Sequence, residues 1–131
     1  MISSDLILDS DLDDIIDGLP REVESLAGKR ILIAGGAGFL GRYFLAVFKR
    51  LNVEVLASPC KLSILDNFRV ADKALVGDIG KWGELLHADI CRDELPEGPF
   101  DWVIHAAGIA SPFYYRAYPL ETLEVATLGT E

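Results

Sequence analysis

The chain has 131 residues, half of them apolar and a quarter charged, with a mean hydropathy of +0.27. That suits one modest domain or a piece of a longer protein; it is too apolar for a disordered acidic tail, and no apolar run reaches the ~18 residues of a membrane span. The net charge of −9 gathers in residues 1–24, where Asp5, Asp9, Asp11, Asp13, Asp14, Asp17, Glu22 and Glu24 face the single base Arg21, and nothing resembles the basic stripe that nucleic acid requires.

The first five residues carry neither the basic flank nor the apolar stretch of a secretion signal. Residues 1–28 read as an acidic extension with one short helix. Ser10 is the expected N-cap, with Asp13 placed to reach back to it and Asp11, Asp13 and Asp14 suited to the positive helix end. Leu12, Ile15 and Ile16 give it an apolar face, and Gly18 followed by Pro20 should stop it. Such a segment either packs on its own domain or docks a partner chain.

From Lys29 the pattern changes. Ile31-Leu32-Ile33-Ala34 is a short, wholly apolar run, as expected of a strand buried on both faces. Phe39 to about Leu51 predicts a helix, with Leu40, Phe44, Val47, Phe48 and Leu51 at three-to-four spacing. Lys61 to Leu65 is the second strand, followed by a loose stretch from Asn67 to Lys81 with a weak helical pattern. Leu85-Leu86-His87 is a third strand and Phe100 to His105 a fourth, after a turn through Pro96, Gly98 and Pro99. Leu120 to Leu128 begins another helix, with Pro119 at its first turn. This alternation predicts an α/β fold with a doubly wound parallel sheet. Fewer strands are visible than the usual six, and the fourth would expose an apolar edge, so a truncated piece of a longer protein is expected. Cys60 and Cys91, without CxxC or ligand spacing, read as free thiols in a reducing, cytoplasmic protein, with no disulfide framework and no metal site.

Gly35, Gly38 and Gly41 follow the first strand and open the first long helix. In a strand–turn–helix of this form, backbone N–H groups and the positive helix end face a pyrophosphate. Gly35 permits the tight turn, Gly38 close approach of the phosphates, and Gly41 close packing of helix on strand. Asp66 ends the second strand 25 residues beyond Gly41. Its carboxylate can accept from both ribose hydroxyls of an adenosine and repel a 2′-phosphate, which favours NAD over NADP; a turn-capping Asp is the alternative. Arg42 and Arg69 stand near enough in sequence to weaken that preference. Asp89 could take the adenine amino group while Ile90 packs on the ring, or Asp89 could be an N-cap. Ala106, Ala107 and Gly108 would let the chain pass close to ribose and nicotinamide. His105 reads as a buried histidine with satisfied ring nitrogens rather than a catalytic group.

Together these residues resemble the extended short-chain dehydrogenase/reductases, the NAD-dependent epimerase/dehydratase family. The matching pieces are Gly35 to Gly41 with Phe39 and Leu40 between, Leu65-Asp66-Asn67, Asp89-Ile90, His105 to Gly108, and Pro119 to Thr130. The resemblance implies the N-terminal part of an NAD(P)-binding Rossmann domain over residues 29–131, of strand order 3-2-1-4, with NAD as cofactor. The run from His105 to Thr122 looks most like the UDP-glucuronate decarboxylase branch, which makes Ser111, Pro112 and Tyr115 candidates for the substrate side; loop and core packing is the alternative for Tyr114, Tyr115 and Tyr118. The family implies transient oxidation of a nucleotide sugar at C4 by a Tyr whose Lys follows four residues on, and allows a homodimer. No Tyr here has Lys at that position, so no catalytic residue is expected within the chain, and this portion alone should be inactive. Ala126 stands where the family usually has Asn. A catalytically silent NAD-binding module or scaffold, and a reductase of small carbonyl compounds from the same superfamily, are the other readings.

Overall fold

In the computed structural model, the first two predicted strands form the middle of the sheet, and residues 7–131 are described. Asp5 and the rest of residues 1–6 lie outside the described residues. Strand β1 (Arg30–Ala34) pairs in parallel with β2 (Lys61–Asp66), Arg30 opposite Lys61 and Ala34 opposite Leu65. Strand β3 (Gly83–His87) adds to β2 and β4 (Trp102–His105) to β1, giving the expected order β3-β2-β1-β4, all parallel.

Both faces of the central pair are covered. Ile31, Ile33, Leu62 and Ile64 pack with Leu45, Phe48 and Leu51 of helix α2 (Phe39–Glu54), while Leu32, Ala34, Leu65 and Ala88 form a smaller cluster opposite. Ile31, Ile33 and Ile64 have no exposed surface. Each such side chain contributes about 1.5–3 kcal/mol relative to leaving it in water. The end of α2 is tied to the start of β2 by buried Asn52, whose Nδ2 donates to the Cys60 carbonyl (3.1 Å) and whose Oδ1 accepts from Cys60 N (2.8 Å) and Sγ (3.1 Å). Cys60 and Cys91 are both free thiols.

Ahead of β1, helix α1 (Asp9–Gly18) and a 3₁₀ turn (Arg21–Leu26) lie along the outer side of this core. Leu12 is buried, and Ile16, Leu19, Val23 and Leu26 pack on the main cluster. The N-cap is Leu8 with no side-chain cap, not Ser10, which falls inside the first turn. Asp13 instead pairs with Arg50 of α2 (3.0 Å). The helix does end at Gly18, but Leu19 follows in extended conformation and Gly18 is not left-handed.

The weak helical pattern from Asn67 to Lys81 resolves into two short 3₁₀ turns, Lys73–Val76 and Gly80–Trp82. β4 is an edge strand, with Trp102 56% and Val103 61% exposed. Beyond it come a short helix α3 (Pro112–Ala117), which the periodicity did not reveal, and α4 (Pro119–Thr127). Among the described residues, no helix is long and apolar enough to cross a membrane.

Candidate functional site

The carboxyl ends of all four strands open onto one cleft between the turn after β1, the loops after β2 and β3, and α4. Gly35 makes the first turn at φ +81°, a conformation only glycine adopts cheaply. Its N–H donates to Leu65 O (2.8 Å), and a Cβ there would lie 2.5 Å from Ala107 N and Cα. The turn is therefore wedged between the ends of β2 and β4. Gly36 is a requirement the spacing argument missed, since a Cβ there would run into the Ile64 side chain. Gly41 packs against the turn rather than the strand: a Cβ there would meet the Gly35 carbonyl oxygen and the Gly36 backbone.

These approaches point α2 at the cleft. Gly38 is its N-cap and supplies no side chain, and the first helical hydrogen bond runs from Arg42 N to Gly38 O (3.0 Å). The N–H groups of Phe39, Leu40 and Gly41 are thus left without intrahelical acceptors at the positive helix end, a ready anion site.

Asp66, at the end of β2, lines the cleft beside this turn. Its Oδ2 accepts from Ala37 N (2.9 Å) and its Oδ1 from Phe68 N (2.9 Å). Each carboxylate oxygen keeps a second lone pair, so turn capping leaves acceptor capacity free on the cleft side. Asn67 Oδ1 accepts from Arg69 N (3.1 Å), while its Nδ2 reaches Asp89 Oδ2 (3.4 Å). Asp89 also accepts from Cys91 N (2.9 Å) and pairs with Arg92 (3.4 Å). Burial pushes its carboxyl up, but these hydrogen bonds and the Arg92 charge outweigh it and hold the group below its ordinary 3.8. Asp89 is therefore an ionised, acceptor-only group in the cleft.

Of the residues singled out from sequence, Gly35, Gly38, Asp66, Asn67, Asp89, Ile90, Ala106, Ala107 and Gly108 line the cleft. Phe39, Leu40 and Gly41 sit behind it in the first turn of α2, the first two with exposed side chains. Ser111, Pro112 and Tyr115 lie outside it; Ser111 is the N-cap of α3 and Pro112 its first residue. Tyr115 and Tyr118 are 40% and 38% exposed, so they do not pack in the core. His105 is also exposed, not buried, and its Nε2–H donates to Val125 O (3.1 Å), tying β4 to α4.

Sequence reasoning missed the far wall. Arg69 pairs with Glu121 (3.7 Å) and lies 5.6 Å over the Tyr118 ring; Arg92 pairs with Glu124 (2.6 Å). Arg69, Arg92, Glu121 and Val125 reach the cleft from loops and from α4. The one available signal was the placement of Arg69 three residues after Asp66. Among the described residues, no His, Cys, Asp and Glu cluster could hold a metal ion.

Residues 31–131 match the model of the NAD dependent epimerase/dehydratase family. The chain is 35% identical over 104 residues to UDP-glucuronic acid decarboxylase 1 of Danio rerio, covering 78% of this chain and 23% of that protein. It is 32% identical over 106 residues to UDP-glucuronic acid decarboxylase 5 of Arabidopsis thaliana, covering 77% and 28%. The chain thus spans about a quarter of the length of these curated relatives. The Bordetella bronchiseptica enzyme WbmF, solved with NAD+, superposes with a TM-score of 0.63 at 29% identity over 81% of this chain and 31% of that one. Its complex with NAD+ and UDP gives 0.64 at 28% identity, covering 82% and 31%.

Proposed function

The chain belongs to the NAD-dependent epimerase/dehydratase family, and from that premise we propose that it forms the dinucleotide-binding part of a nucleotide-sugar epimerase, dehydratase or decarboxylase that oxidises its sugar transiently at C4. The observation carrying this reading is the convergence on one cleft of the glycine turn, the N-cap Gly38 at the start of α2 and the carboxylates of Asp66 and Asp89. The NAD+ and UDP complexes of WbmF support both the cofactor and the substrate class.

The donor set fits such a cofactor. The amides of Phe39, Leu40 and Gly41 would take the diphosphate, which carries the negative charge a helix N-terminus favours. Asp66 would accept from the ribose hydroxyls with its free lone pairs and repel a 2′-phosphate. Asp89, acceptor-only, would take the adenine amino group beside Ile90, while Ala106, Ala107 and Gly108 keep the strand ends narrow enough for the backbone to pass the ribose. When bound, the nicotinamide supplies hydride acceptance and return. Within residues 1–131 no Tyr has Lys four positions on, so this portion holds and orients but does not carry the catalytic base, and it is inactive alone. Ser111, Pro112 and Tyr115 would face the sugar only with further parts of the site in place. A cytoplasmic location, supported by the free thiols, and a homodimer belong to the same proposal.

Titration of the purified protein with NAD, NADH and NADP tests the reading. NAD should raise the melting temperature and bind more tightly than NADP. Asp66→Ala should weaken NAD about ten- to hundredfold, the value of one or two hydrogen bonds to a charged group, and narrow the gap to NADP. Absence of any shift with NAD or NADH would defeat the proposal, and an unchanged preference in Asp66→Ala would remove that residue's ribose role.

A further inference from the structure

We infer that helix α1, all of which lies ahead of the residues matched by the family model, is a brace that positions the first turn of α2 for the diphosphate, acting through Asp11 and Tyr43. The inference rests on the reading of that turn given above and adds a part to it. The first turn of α2 has no capping side chain, and Phe39 and Leu40 project with 61% and 60% of their surface exposed. On its inner side the turn is fixed by Gly41 against Gly35 and Gly36. On its outer side the fixing contact comes from α1.

Tyr43 stands one helical turn after Phe39, and their rings meet edge to face with centroids 5.2 Å apart. The Tyr43 hydroxyl donates to Asp11 Oδ2 (3.0 Å). That hydrogen bond, desolvation and the Asp11 charge all push the phenol above its ordinary 10.0, so it stays protonated and donating at neutral pH. Arg50, two turns further along α2, grips Asp9 (3.2 Å) and Asp13 (3.0 Å), the residues flanking Asp11 on α1, as well as Glu54 (3.3 Å). Leu12, next to Asp11 on α1, is buried. The two anchors are separated by seven residues, roughly 10 Å of helix. The Arg50 ion pairs, made to exposed carboxylates, add little to overall stability, so their consequence lies in where they hold α1 and, through the part-buried Tyr43–Asp11 bond, the turn.

The test uses the whole chain and three ligands: NAD and ADP, which carry the diphosphate, and adenosine, which does not. Tyr43→Phe and Asp11→Ala should each weaken NAD and ADP about three- to tenfold, the effect of one hydrogen bond, with adenosine unchanged. The double variant should be no worse than either single one, because both remove the same contact. Asp11→Asn keeps a carbonyl acceptor for the phenol and should restore most of the affinity. Arg50→Gln, releasing the other anchor, should move NAD and ADP in the same direction. Unchanged NAD and ADP affinities, with or without a lower melting temperature, overturn the brace, as does an equal loss for adenosine. Failure of the unsubstituted protein to bind NAD or ADP refutes the dinucleotide reading itself and is a separate result.

Discussion

Replacing Gly41 by Ala sets two effects of opposite sign against each other. On helix propensity alone, alanine is better than glycine by about 0.8–1 kcal/mol, so a freely accessible site in α2 would gain stability. Gly41 is not accessible: the added methyl would press on the Gly35 carbonyl oxygen and lie 2.7 Å and 2.8 Å from Gly36 Cα and C. Carbon atoms prefer about 3.5–4.0 Å, so helix or turn must move by roughly 1 Å. The turn cannot retreat, because Gly35 is hydrogen-bonded to Leu65 O (2.8 Å) and backed by the Ala107 main chain. Overpacking against backbone costs about 1–3 kcal/mol, which leaves a net loss of up to about 2 kcal/mol and a fall in Tm of up to about 10 °C. If the α2 amides take the diphosphate as proposed, the same movement displaces them, and losing one hydrogen bond to a charged phosphate should weaken NAD about ten- to hundredfold. Thermal melts and NAD titration measure both. Gly18→Ala is the control, since nothing lies within 4 Å of its added methyl, and it should gain up to about 1 kcal/mol. If Gly41→Ala matches or exceeds the unsubstituted protein in stability and binds NAD unchanged, the helix does not rest on the turn and the reasoning is wrong.

Two further outcomes follow from hydrogen-bonded polar groups. The Asp89 carboxyl sits below its ordinary value in the folded protein, so the stability it contributes is fully present above the unfolded pKa and is lost as pH falls through the lower folded one. The difference in urea midpoint between Asp89→Asn and the unsubstituted protein should be flat from about pH 5 to 8 and shrink only below about pH 4; a difference that changes between pH 5 and 8 refutes the assignment. Asn52→Leu should cost about 2–4 kcal/mol by urea denaturation, because it strands the buried Cys60 N–H and carbonyl together, and a loss under about 1 kcal/mol would show those groups have other partners.

What the sequence revealed and what it hid divide by the kind of force involved. Strands buried on both faces read as near-continuous apolar runs, so β1 and, despite its buried Ser63, β2 were legible, and the glycines after β1 marked a chain able to turn there. The stretch after Asp66 was not legible as helix or strand because its order comes from side chains: Asp66 caps Phe68 N, Asn67 caps Arg69 N, Asp72 caps Ala74 N and Asp78 caps Gly80 N. Hydrophobic periodicity does not register such two-residue turns. The far wall was hidden for another reason, since Glu121 and Val125 meet the cleft only once α4 has folded back over it. His105 came out exposed because β4 is an edge, a fact set by the sheet rather than by its own apolar neighbours. The most instructive case is Asp66, for which turn capping and ribose binding looked like rival explanations. Its two oxygens each take one backbone N–H, and those two bonds fix the carboxylate beside the glycine turn with lone pairs still free. Capping therefore fixes the carboxylate that the proposed function assigns to the ribose, and a substitution that removed that proposed role while sparing the turn would have to keep an acceptor toward Ala37 N and Phe68 N.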